Sequence, residues 1–310
     1  MDTDSLKTFV GVYRAGGFSH AEETLLRSQP AISRRIALLE RELKAPLFER
    51  TSSGIVLSQA GKVLLPFAER VLAALSDATE AVAALEKGSA GPIALALVGT
   101  LASTQITPLL ADFARAFPRV ALALRTATSS EVSELVRRGE ASIGLRYVDD
   151  EASDLVCEKI GDEALVVACA RRHPLAGKSV ASLKALRDAP WVAFPLAPGR
   201  REASAQVLHV QFLMRGVADL SWTPVDSLTA QKRLVEAGFG LALLPESAIA
   251  EEIAHSTLAT IAVRDLAAAN PIYAIVRKNG YLSPAALALL ARIKGSDYSG
   301  RTQSRRRPRS

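Results

Sequence analysis

At 310 residues, with 49% hydrophobic and 23% charged residues, the chain has the size and composition of about two globular domains. No apolar run reaches the roughly 18 residues of a membrane helix, and the start MDTDSLKTFV has two acids and no basic lead into an apolar core. These features argue against a membrane span or secretory signal and make the cytoplasm the expected compartment. The net charge of +6 says little about partners, because Arg301, Arg305, Arg306, Arg307 and Arg309 supply nearly all of it. The tail SGRTQSRRRPRS has no apolar periodicity, so residues 296–310 are expected to be disordered. Cys157 and Cys169 are too few for a disulfide framework, and reduced, buried thiols are expected.

The N-terminal part reads as helices. Leu6, Phe9, Val10 and Tyr13 fall at helical spacing, and Gly16-Gly17 ends that element. Ser19 is placed to cap a second, short helix carrying Ala21, Leu25 and Leu26. After a three-residue break, Ser28 is placed to cap a third helix with Pro30 in its first turn, continuing through Ile32, Ile36, Leu39 and Leu43. Two short helices joined by a tight turn outline a helix-turn-helix. Ser52-Ser53-Gly54 then separates two short extended runs, 47–51 and 55–57, which predicts a hairpin and a candidate wing. Residues 1–58 are therefore expected to form one DNA-binding unit.

Residues 59–87 predict one long helix. Leu64, Val71, Ala78 and Leu85 hold one heptad position, and Ala68, Leu75 and Val82 the other. A sustained seam of this kind implies a partner helix. A short linker, 88–92, follows. Strands and helices then alternate: a strand at 93–98, a helix at 104–116, a strand at 120–125, a helix at 130–138 and a strand at 143–147. The pattern restarts with a strand at 164–170. A run at 191–194, helices near 201–214 and 228–237, a strand at 241–244, a strand at 272–277 and a helix at 284–294 complete it. Such alternation predicts a mostly parallel sheet with helices on both faces. Two lobes are expected, one from 91–163 with 266–295 and one from 164–265.

The stretch LLRSQPAISRRIALLERELKAPLFERTSSGIVLSQAG closely resembles the LysR-type transcriptional regulators. Later stretches, ITPLLADFARAFPRV, LVRRGEASIGL, RHPLAGK and LVEAGFGLALLPES, extend the resemblance over nearly the whole chain. It implies a winged helix-turn-helix, a dimerising linker helix and a two-lobed α/β effector domain shaped like a periplasmic binding protein, with Rossmann-like lobes. It also implies a tetramer built as a dimer of dimers. Candidate partners are double-stranded promoter DNA, a small-molecule effector, further copies of the chain and RNA polymerase; no membrane, cofactor or metal is expected. Two departures stand out. Many relatives carry a basic residue at the wing tip, where this chain has Ser52-Ser53-Gly54, and relatives often have Asp where this chain has Ser142.

A recognition helix needs polar side chains near its N-terminus, where it enters the major groove. Ser28, Gln29, Ser33 and Arg34 satisfy this, with Pro30 shaping the helix start. Gln29 can pair with adenine and Arg34 with guanine. Arg35, Arg50 and Thr51 suit phosphates, and Ser53 sits at the wing tip. For the effector, ligands in open α/β folds lie beyond the carboxyl ends of strands. Thr100, Leu101, Ala102 and Ser103 follow the first strand, and the resemblance places an effector-contacting hydroxyl at Thr100. Thr128 and Ser129 follow the second strand, and Arg146 ends the third. Phe194, Pro195, Arg200, Leu228 and Thr229 lie at the matching edge of the other lobe. An organic anion fits free N–H groups at a helix start together with Arg146. Each hydroxyl has helix capping as its alternative role, and Arg146 an ion pair with an acid such as Asp149 or Asp226.

Three rival functions lack support in the sequence. An enzyme would be expected to show a motif such as GxSxG, HExxH, Walker A or GxGxxG, and none occurs. A free-standing solute-binding protein would not need the N-terminal unit. A thiol sensor of the peroxide-responsive kind carries its reactive pair in the second-lobe loop, where neither Cys157 nor Cys169 falls.

Overall fold

The computed structural model describes residues 1–52, 54–87, 92–196 and 203–298. Expectations for Ser53, the linker 88–91, Arg200 and residues 299–310 of the tail fall outside them. Residues 296–298, expected as part of a disordered tail, are described, and Tyr298 is buried in the core of the first lobe.

Helices α1 (Thr3–Ala15), α2 (Ala21–Leu25) and α3 (Gln29–Leu43) close around Phe9, Ile32, Ile36 and Leu39. Asp2 caps α1 by accepting from the Ser5 N–H at 2.6 Å, and Gly16 ends it in the left-handed region. The start of α2 differs from expectation: His20, not Ser19, is the N-cap residue. Ser28 does precede α3, but its hydroxyl makes no capping bond. The Glu22 carboxylate instead accepts from the Gln29 N–H at 2.5 Å. Strands β1 (Phe48–Thr51) and β2 (Gly54–Leu57) form the predicted hairpin, pairing Phe48 with Leu57. Gly61 has a steric reason. A Cβ there would lie 2.2 Å from the Leu47 carbonyl oxygen, which already accepts from the Ser58 N–H.

Leu26 ends α2 with φ +51° and is 90% exposed. A leucine in this region carries strain of roughly 1–2 kcal/mol with no buried contact to offset it. Leu26→Asn is therefore expected to stabilise the N-terminal unit by about 1 kcal/mol. A calorimetric midpoint that stays put or falls would contradict this.

Helix α4 (Gln59–Lys87) presents three faces. Leu64, Leu65, Ala68 and Leu72 pack on the winged-helix core. This corrects the first turns of the predicted seam, because Leu64 and Ala68 are already satisfied by their own domain. Val63, Phe67, Val71, Leu75, Ala78 and Val82 form an exposed stripe on another face. Leu85 lies outside the described side chains. The third face meets the first lobe through Ala73, which packs against Gly139.

The first lobe begins with β3 (Ile93–Val98), α5 (Ile106–Ala116), β4 (Leu122–Ala127), α6 (Ser129–Arg137) and β5 (Ile143–Arg146). β3 lies between β4 and β5, parallel to both. The second lobe holds β6 (Leu155–Ala170), β7 (Ser179–Val180), β8 (Val192–Ala193), α7 (Ala203–Leu213), β9 (Thr223–Pro224), α8 (Leu228–Glu236), β10 (Ala242–Pro245), α9 (Ala250–Ala254) and β11 (Leu258–Val263). β12 (Ala269–Arg277) and α10 (Pro284–Lys294) follow, and Ile272, Ile275, Leu289 and Ile293 join the first lobe's core.

The strand order β4-β3-β5-β12-β6-β11-β7, with β10 also on β6, makes β6 and β12 common to both lobes. Because β6 and β12 run antiparallel to their neighbours β5, β10 and β11 and to each other, the sheet is mixed rather than mostly parallel as expected. Periodicity places a strand only at 164–170, whereas β6 starts at Leu155. Its first half carries Glu158, Lys159 and Asp162, all exposed, so it reads as polar chain until β12 pairs beside it. Periodicity also assigns no element to 245–271, where a 3-10 turn, α9 and β11 lie.

Both cysteines sit on β6, twelve residues apart, which in an extended strand is about 40 Å. They cannot pair with each other. Burial pushes each thiol up to about 11, away from thiolate chemistry.

Candidate nucleic-acid interface and effector cleft

Gln29, Ser33 and Ala37 recur every four residues along α3 and so share one face. That face, the hairpin and the turn before α2 form a groove of about 600 Å³, whose lining includes Gln29, Ser33, Arg50, Thr51, Ser19 and His20. Four predicted DNA contacts therefore converge. Ser19 and His20 are additions; the signal available was their place just before the first helix of the helix-turn-helix. Ser28, Pro30 and Arg34 are exposed beside the groove. Arg35 is drawn back, 2.6 Å from Asp4, which also holds Arg27 through both carboxylate oxygens at 2.8 and 2.9 Å. These arginines keep the Asp4 carboxyl below its usual range, chiefly through the Arg27 hydrogen bond.

At the carboxyl ends of β3 and β4, Gly99, Thr126, Ala127, Thr128 and Glu131 face Phe194, Pro195 and Asp226 of the second lobe across a cavity of about 280 Å³. Thr128 lines this cleft and also caps α6, in a reciprocal capping box with Glu131. Ala102 and Ser103 open instead on a separate cavity of about 660 Å³, shared with Lys232, Glu246 and Ser247. Leu101 is core and Ser129 is buried, with its hydroxyl 3.4 Å from the Tyr147 N–H. Leu228 packs against the second lobe's core, while Thr229 is exposed.

Two features read as favouring an anion lie elsewhere. Arg146 is buried within the first lobe, 2.7 Å from Asp150 and bonded to Ser133. The chain after Thr100 forms a short 3-10 turn, Gly99–Ser103, and α5 begins only at Ile106, whose N–H is taken by the Thr104 hydroxyl at 3.2 Å. A strand end aims its last side chain into the cleft or the core according to register, which periodicity does not supply.

Behind the 3-10 turn lies a polar chain the sequence did not reveal. Thr100 Oγ1 is 2.7 Å from Tyr147 Oη, and Tyr147 donates to Glu163 at 2.6 Å. Ser247 of the second lobe donates to the other Glu163 oxygen at 2.6 Å. Burial raises the Glu163 carboxyl above its usual range, opposed by these two bonds. Asn270, fully buried, is its cross-strand partner. The carboxylate thus ties Tyr147 of one lobe to Ser247 of the other. Among the described residues no cluster of three or more His, Cys, Asp or Glu is placed to hold a metal, and no helix is long and apolar enough to cross a membrane.

The chain matches two family models: the bacterial regulatory helix-turn-helix of the LysR family at residues 3–62, and the LysR substrate binding domain at 86–296. It is 34% identical over 259 residues to the HTH-type transcriptional regulator BudR of Raoultella terrigena, covering 80% of this chain and 85% of that one. It is 27% identical to CysL of Bacillus subtilis, covering 90% of both. Among solved structures, the LysR-family regulator CbnR superposes with a TM-score of 0.66 at 25% identity, covering 95% of this chain and 99% of the other. CbnR complexed with its target DNA gives 0.64, with the same identity and coverage. With its helix-turn-helix matched at residues 3–62 and its two-lobed α/β unit at 86–296, this chain belongs to the LysR family of DNA-binding transcriptional regulators.

Proposed function

We propose that the chain binds promoter DNA as a dimer of dimers and changes its grip when a small organic effector enters the cleft between the lobes. The observation that carries the DNA half is the convergence of Gln29, Ser33, Arg50 and Thr51 on one groove. Gln29 and Ser33 read base edges beside Arg34, and Arg50 and Thr51 hold phosphates. The effector half is supported by Gly99 and Thr128 facing Phe194, Pro195 and Asp226 at strand carboxyl ends. Arg146, bound to Asp150, has a structural task in this reading and does not meet the effector. The role is regulatory rather than catalytic, in keeping with relatives that are themselves transcriptional regulators.

Two measurements test this. Footprinting on the DNA beside the chain's own gene should show two protected regions, each holding an interrupted palindrome. A thermal-shift screen of carboxylates, aromatic acids, amino acids and neutral metabolites should return a hit; at a hundred times its Kd, such a ligand stabilises by about 2.7 kcal/mol. Gly99→Leu places a side chain at the cleft floor, where the nearest atom to a new Cβ is 3.8 Å away. It should remove that shift and leave the footprint. A hit that still binds the Gly99→Leu protein lies outside this cleft.

A further inference from the structure

Glu69, Ala73, Asp77 and Glu80 lie within one arc of about 80° on α4, at about 100° per residue. This is the face that meets the first lobe, opposite the exposed apolar stripe. Its polar contacts are specific. Asp77 Oδ1 accepts from Arg277 Nη2 at 2.6 Å, and Asp77 Oδ2 accepts from the Tyr281 N–H at 3.2 Å. Glu69 Oε1 lies 2.8 Å from Arg138 Nε and 3.2 Å from Arg14 of α1. Arg14 also reaches Glu140 at 2.8 Å. The Asp77 and Arg277 side chains are only 15% and 16% exposed. Against Ala73, between Glu69 and Asp77 on α4, lies Gly139 with φ +70°; a Cβ there would lie 3.2 Å from that of Ala73. The approach is therefore close, and any side chain at 139 would push the surfaces apart.

We propose that these pairs form a releasable latch that fixes the direction of the DNA-binding head against its own effector lobe. Three features argue for a latch over a permanent joint. Among the described residues, the α4 side of the contact buries one small apolar side chain, Ala73, beside charged groups. Such ion pairs add little net stability, since desolvation offsets much of their attraction, so two arrangements can be close in free energy. Finally, the lobe side of the latch sits where lobe motion is delivered. Arg277 ends β12, the strand that begins at Ala269 between the lobes and pairs along β6. The pairing of β12 on β6 is irregular at Ile272/Tyr273, so a change in lobe angle bends β12 there; carried into the run that ends at Arg277, that bend parts Arg277 and Tyr281 from Asp77 and frees α4 to swing. The exposed stripe on the opposite face of α4 is untouched by that motion, so a pair of helices joined through it stays joined while the heads are re-aimed.

The test uses the full-length protein with Cys157→Ser and Cys169→Ala, and nitroxide labels at Lys7→Cys and Glu151→Cys, diluted with unlabelled chain. Electron–electron distance measurements should give one narrow head-to-lobe distance. Asp77→Arg alone and Arg277→Asp alone should each broaden it, and the double reversal should restore it. Asp77→Asn, a milder change, should broaden it partly, so the reading does not depend on a charge-reversed protein that fails to fold. The same single variants should alter the length of the DNA footprint without changing the preferred sequence. A narrow distance in every variant, a broad one in the parent protein, or no recovery in the double reversal would overturn the latch.

Discussion

Leu75→Asp with Val82→Asp should turn the assembly into chains that fold but do not pair. Leu75 and Val82 are 41% and 63% exposed in the single chain, so aspartates there cost the fold little. In a paired seam the same carboxylates would be buried without partners, at several kcal/mol each. Light scattering should report monomers, and DNA affinity should fall by orders of magnitude, because a lone head cannot use both half-sites. The control is Leu64→Asp, which strikes the winged-helix core instead and should lower the melting temperature. An assembly of unchanged size after the double substitution would place the pairing surface elsewhere on the chain.

Arg34→Ala should weaken specific binding by roughly 1–3 kcal/mol and relax the preference at one base pair. Arg34 is exposed on the recognition helix, whereas its neighbour Arg35 is held 2.6 Å from Asp4. Arg35→Ala is therefore expected to have the smaller effect, without a change of sequence preference. Its loss would show as a shallower dependence of affinity on salt, the mark of a phosphate contact. If selection from randomised DNA returned the same site for the Arg34→Ala protein, the base contact would have to be reassigned, with Gln29 the next residue to test.

The helices and hairpin of the DNA-binding unit and most elements of the first lobe were legible in the sequence, whereas the first half of β6, α9 and β11 were not. Helical spacing of Leu6, Phe9 and Val10, a turn at Ser52–Gly54 and a polar face beginning at Gln29 are local signals, set by periods of 3.6 or 2 and by turn chemistry. Helix capping, the alternative role read for the effector-site hydroxyls, is what Thr128 does at the start of α6. Three matters were decided only by tertiary structure. The seam's first turns, Leu64 and Ala68, are apolar for either of two partners, and packing gave them to the chain's own core. Arg146 is a cation at a strand end whether it faces a ligand or an acid, and Asp150, four residues on, claims it. The links that join separate units, Glu163 to Tyr147 and Ser247 and Asp77 to Arg277, span 16, 84 and 200 residues of sequence. No periodicity records such distances; a charged or polar side chain looks the same in one sequence whether it is solvated or buried against a partner. The fold was legible because burial repeats along an element, and the joints were not because each is a single meeting of remote residues.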